Sequence, residues 1–124
     1  MVEKPRILLV EDDQGVRNVY AEFLSGNYDV STANDGEEGW LMAKSNKYNL
    51  ILLDIMMPKL DGLGFLKRRL DDTQVKNTPV IILTNVGSDR ALRECFKMDV
   101  KYCIIKAETV PDKVIDLVAK ALKE

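Results

Sequence analysis

Glu11, Asp12 and Asp54 each sit where a run of apolar residues stops. One run is Ile7-Leu8-Leu9-Val10; the other is Ile51-Leu52-Leu53. Two further runs, Pro79-Val80-Ile81-Ile82-Leu83 and Tyr102-Cys103-Ile104-Ile105, end in a hydroxyl, Thr84, and an amine, Lys106. Carboxylates a few ångströms apart cannot all ionise unless a cation joins them. A hard divalent ion suits oxygen ligands, which points to Mg2+, with Mn2+ as a substitute. Its ligands would be Glu11, Asp12 and Asp54, with the carbonyl of Met56 just past the third acid. Asp54 could be a metal ligand only, or a nucleophile that accepts a phosphoryl group, as carboxylates do. Phosphoryl transfer needs its equatorial oxygens neutralised and its partners in line. Lys106 would serve one of those oxygens and Thr84 another. A plainer alternative has Glu11-Asp12-Asp13 doing no more than cap a helix, a role that suits Asp13.

Short apolar runs bounded by turn formers read as strands buried on both faces, and a charge is tolerated there only where the strand leaves the core. Strand signals fall at 6–10, 28–33, 48–53, 79–83 and 101–105, with helical periodicity at 14–24, 35–45, 62–71, 88–98 and 111–123. The first helix carries Val16, Val19, Tyr20, Phe23 and Leu24 as an apolar stripe and ends at Gly26-Asn27. Pro111 suits the first turn of the last helix. Strands alternating with helices imply an α/β fold, a doubly wound five-stranded parallel sheet flanked by five helices. The second strand is the least apolar and belongs at an edge. The expected strand order is 2-1-3-4-5, with a crevice between strands 1 and 3 at their C-terminal ends, where ligands bind in such sheets.

At 124 residues the chain is one domain, 1–124, with room for a core but, on this reading, none for an output domain. A net charge of −2 argues against direct binding of nucleic acid. No apolar run approaches the roughly 20 residues of a membrane span, and no signal peptide opens the chain, so a cytoplasmic location is expected. Cys95 and Cys103 read as reduced packing residues. The absence of histidine excludes a Ser-His-Asp or Cys-His triad, a His-ligated zinc site and an imidazole phosphocarrier. A Gly-rich phosphate loop after the first strand is also missing, which disfavours a flavin or nucleotide binder. A phosphohydrolase commonly has a second acid two residues after its nucleophile; Met56 stands there.

Ile7-Leu8-Leu9-Val10-Glu11-Asp12-Asp13, Asp35-Gly36-Glu37-Glu38, Leu52 through Gly62, Pro79 through Thr84 and Ile104-Ile105-Lys106 together resemble the receiver domain of two-component response regulators. The resemblance covers essentially the whole chain. It implies a flavodoxin-like fold and a phosphoacceptor switch that is not an enzyme beyond its own phosphorylation and dephosphorylation. Asp54 would take a phosphoryl group from a histidine kinase, a phosphotransfer protein or a small phosphodonor, with Mg2+ at Glu11, Asp12, Asp54 and Met56. Thr84 and Lys106 would contact the phosphoryl group. Output would leave through helix 4, strand 5 and helix 5, where Arg90, Arg93, Lys97, Lys101 and Lys113 are candidate surface residues, with the chain a monomer or a phosphorylation-dependent dimer.

Several positions depart from that family. Cys103 replaces the aromatic residue often found three positions before the lysine, and Tyr102 lies on the opposite face by strand alternation. Ala107 replaces the usual proline, so a rearranged loop is expected after Lys106. Asn85 is larger than the usual small residue, and Met56 and Val86 flank the same opening with apolar side chains. These three would modulate access, and a long-lived phosphoaspartate is expected. Trp40 is expected to pack.

Overall fold

In the computed structural model, which describes residues 3–85, 89–106 and 111–123, β1 (Arg6–Val10) is an interior strand of the sheet, apolar after Arg6. Its side chains alternate between two cores. Ile7 and Leu9 pack with Leu50, Leu52, Ile81, Leu83 and Ile104 under α1 (Gln14–Ser25) and α5 (Pro111–Lys123). Leu8 and Val10 pack with Ile51, Leu53, Val80 and Ile82 on the other face, under α2 (Gly36–Ser45), α3 (Gly62–Leu70) and α4 (Asp89–Phe96). The remaining strands are β2 (Asp29–Ala33), β3 (Leu50–Leu53), β4 (Val80–Thr84) and β5 (Tyr102–Ile105). All pairings are parallel, in the order β2-β1-β3-β4-β5. The expected fold and edge placement of β2 are therefore as observed.

Element ends differ from the sequence reading by a residue or two, each for a local reason. Asp35 lies outside α2 because it caps it, accepting from the Glu38 N–H at 2.8 Å. Pro79 has no N–H to give a ladder and contributes only its carbonyl, which accepts from the Ile51 N–H at 2.9 Å. Tyr48 and Asn49 precede β3; the Asn49 side chain instead accepts from the Arg6 N–H at 2.8 Å. Helix α4 ends at Phe96, short of the expected Met98, and the chain turns at Asp99 with φ of 60°. Asp13 caps α1, accepting from the Val16 N–H at 3.0 Å.

Gly39 weakens a helix by roughly 1 kcal/mol relative to Ala, yet a Cβ there would lie 2.8 Å from both methyls of Val10. The glycine is what lets α2 lie close on β1. Trp40, next to it, meets the Phe65 ring edge-on at 5.4 Å, as a packing residue should. Tyr102 packs on the α1/α5 core and Cys103 on the opposite one, the split that alternation requires.

Candidate functional site

The register of the sheet places the reactive ends side by side. Val10 pairs with Leu53, so Glu11 and Asp54 are the next residues out of two adjacent strands. Their backbones remain tied to the sheet: the Glu11 N–H donates to Ala33 O and the Asp54 N–H to Val10 O, each at 3.1 Å. Counting in twos from Leu9, Leu52 and Ile104, which share one face, brings Glu11, Asp54 and Lys106 to that same face. There the Lys106 ammonium donates to a Glu11 carboxylate oxygen and, at 3.2 Å, to Asp54 Oδ2. Carboxylate oxygens of Glu11, Asp12 and Asp54 lie within 4.8 Å of one another. Glu11 and Asp54 are buried and Asp12 is exposed, giving the cluster one open side.

Burial lifts Glu11 above the ordinary carboxylate range; the Lys106 and Asp13 hydrogen bonds pull against it, and the Asp54 charge adds to it. Burial would lower Lys106, but the Glu11 hydrogen bond and the two carboxylate charges outweigh it, leaving the amine firmly cationic. One cation thus offsets only part of the charge of two buried acids, and the hard oxygen donors fit a divalent metal.

The loop after Asp54 is folded back over the strand end. The Gly62 N–H donates to Ile55 O at 2.8 Å, and a Cβ on Gly62 would lie 2.6 Å from Asp54 O. Only glycine allows that approach without displacing the strand end. Lys59 takes a φ of 70° in this loop and pairs with Asp35 at 3.6 Å. The Met56 N–H lies 3.4 Å from Asp54 Oδ1, and the Met56 side chain is 64% exposed. Thr84 is fully buried at the end of β4, and Asn85 follows it, exposed. Val86 and Ala107 lie outside the described residues, so the access role expected of one and the loop expected at the other are not located.

Three contributors escaped the sequence reading. Gly62 limits the loop, and Arg17 reaches the carbonyls of the acidic pair, with Nη1 2.9 Å from Glu11 O and 3.4 Å from Asp12 O. Arg17 lies one turn past the N-cap, and helix side chains lean back toward the N-terminus, a signal that could have found it. Arg69 is distant from the acids but holds the core of the α3 side together, as described below.

Residues 7–119 match the family model described as the response regulator receiver domain. The chain belongs to the response regulator receiver family. Among curated receiver-bearing relatives, the transcriptional regulatory protein CiaR of Streptococcus pneumoniae is 47% identical over 79 residues, which are 64% of this chain and 34% of that protein. The probable C4-dicarboxylate response regulator DctR of Halalkalibacterium halodurans is 35% identical over 114 residues, 88% of this chain and 49% of its own length. The receiver therefore spans half or less of these relatives. A Francisella receiver domain superposes with a TM-score of 0.83 at 31% identity, covering 97% of this chain and 98% of that one. The receiver of the Pseudomonas aeruginosa sensor kinase PA1611, solved with magnesium in its cleft, shares the fold with a TM-score of 0.88 at 22% identity, covering 98% and 99%.

Proposed function

We propose that Asp54 is the phosphoacceptor of a phosphorelay switch, with Glu11, Asp12, Asp54 and the Met56 carbonyl as the Mg2+ ligands. The observation that carries this reading is the meeting of Lys106 with Glu11 and Asp54 beside a third carboxylate, all at one sheet edge. Mg2+, or Mn2+ in its place, would supply charge neutralisation for phosphoryl oxygens. An Asp54 oxygen attacks phosphorus; the new O–P bond forms as the donor's N–P bond, on a partner's phosphohistidine, or O–P bond, on a small phosphodonor, breaks. The chain has no histidine of its own to act as donor. Lys106 stays protonated throughout and turns from Glu11 toward a phosphoryl oxygen, while the Thr84 hydroxyl takes another. Residues 1–124 form a single receiver on this reading, whose chemistry stops at acceptance and loss of the phosphoryl group.

Output would pass through α4, β5 and α5. Among the described residues Arg90 and Arg93 are exposed without an acid partner, and Phe96 beside them is 53% exposed. Lys97, Lys101 and Lys113 are exposed as well. Arginine and aromatic residues on a surface are the commonest anchors of protein contacts. None of the helices among the described residues is long and apolar enough to cross a membrane, which supports a cytoplasmic site of action.

Intact-mass analysis after incubation with acetyl phosphate, with and without Mg2+, tests the assignment. One phosphoryl adduct that requires Mg2+ and is missing from Asp54→Asn is the expected result; an adduct that survives in Asp54→Asn would overturn it. The same adduct should decay faster in Met56→Ala, because the exposed thioether shields the acyl phosphate; an unchanged decay rate would remove Met56, and with it the shielding idea, from the account.

A further inference from the structure

Arg17 serves no purpose in the proposed phosphoryl transfer, yet among the described residues it is the one cation whose side chain bonds the backbone that carries two of the acids. Its Nη1 donates to Glu11 O at 2.9 Å and lies 3.4 Å from Asp12 O. The loop is otherwise held from the other side: the Glu11 N–H is bonded to β2, and the Asp13 N–H donates to Glu11 Oε2 at 3.2 Å. Asp13 in turn caps α1, so helix and loop are joined at two points on one turn. Asp12, the exposed member of the acid cluster, shows no side-chain hydrogen bond among those described. Only the placement of its backbone aims it.

We infer that Arg17 is a positioning residue for the metal-binding acids, acting on the carbonyls of Glu11 and Asp12 and not on the metal or the phosphoryl group. This rests on the reading that Glu11 and Asp12 hold a divalent cation. Two effects of Arg17 on that cation have opposite signs, and this makes the inference decidable. Its positive charge repels a second cation nearby, so charge alone predicts that removing it tightens metal binding. Its hydrogen bonds hold the acids convergent, so positioning predicts that removing them weakens binding, by the 10- to 100-fold loss typical when groups behind metal ligands are removed, on the order of a factor of ten here.

The experiment is Mg2+ titration by calorimetry of the full chain, as wild type, Arg17→Met and Arg17→Lys, each first shown folded by its circular dichroism. The expected result is weaker binding by about tenfold in Arg17→Met, with a smaller loss in Arg17→Lys, which keeps a donor and the charge but not the fork. Hydrogen exchange at the Asp13 amide in metal-free protein should quicken in Arg17→Met, a readout that does not depend on the ion. Tighter Mg2+ binding by Arg17→Met, the outcome charge alone predicts, would overturn the inference, as would equal binding or unchanged exchange at Asp13. If the wild type takes up no Mg2+, the metal reading of the site falls and this inference with it; unchanged affinity in the variant beside a binding wild type removes the inference alone.

Discussion

The five candidate side chains, Glu11, Asp12, Asp54, Thr84 and Lys106, were legible in the sequence because a charged or hydroxyl group interrupts an apolar strand only where that strand leaves the core. The Lys106 bridge to Glu11 and Asp54 follows from alternation along three strands once their order is known. The roles of Arg17 and Gly62 went unread, since one acts through backbone carbonyls, signalled only by its place one turn past the N-cap, and the other through the absence of a Cβ. Cys103, which departs from the family, behaves as the packing residue expected. It is half-buried, and burial with the nearby Cys95 holds its thiol up at about 11 against an ordinary value of 9.0. A thiol protonated more tightly in the folded than in the unfolded chain gives stability that is intact below the unfolded value and lost as pH climbs through the folded one. The melting temperature should therefore drop between pH 9 and about 11 more steeply in wild type than in Cys103→Val. Lys106, also raised, will keep some alkaline sensitivity in the variant. Thermal melts at neutral pH and at about pH 10.5 measure the difference; parallel losses in both proteins would refute the assignment to Cys103.

Elements were read from periodicity to within a residue or two, and the errors fell at caps and turns, where side-chain bonds decide the boundary. Periodicity could not show how α3 and α4 are joined. Arg69, near the end of α3, is only 2% exposed and would be taken from its sequence neighbours Lys67 and Arg68 as one more solvated cation. Instead its guanidinium turns inward. Nε and Nη2 donate to Thr78 O at 3.0 and 2.8 Å, and Nη1 donates to Met98 O at 3.1 Å. It thereby joins α3, the segment leading to β4 and the turn after α4. Burial pulls its pKa down and the Asp99 charge partly restores it, so the cost of a buried charge is shared by the carbonyls and a nearby acid. Arg69→Met keeps the stem but strips both carbonyls of their donors. A loss of about 3 kcal/mol is expected from a urea titration, on the scale of breaking a buried charged hydrogen-bond network. A loss under about 1 kcal/mol would mean that water or a neighbour replaces the guanidinium.

On the scale of the molecule, the sheet collects its acids at one edge, and among the described residues Lys106 alone pairs with them there. A ligand that binds the folded chain and not the unfolded one adds stability by mass action, about 2.7 kcal/mol at a hundred times its dissociation constant. Mg2+ at that excess should raise the melting temperature by roughly 10 °C. Asp12→Asn should lose most of that gain, because it removes an acid without disturbing the buried pair. Calorimetric melts with and without the ion measure it, and an equal gain in Asp12→Asn would place the ion elsewhere. The sheet has another consequence. Each strand runs toward the reactive edge and each helix runs back, so a chain that opens with β1 and closes with α5 starts and finishes at the opposite pole. Anything joined at either end would hang from that pole, clear of the acids. The domain is thus wired like a plug, with its candidate contacts at one end and its cable at the other.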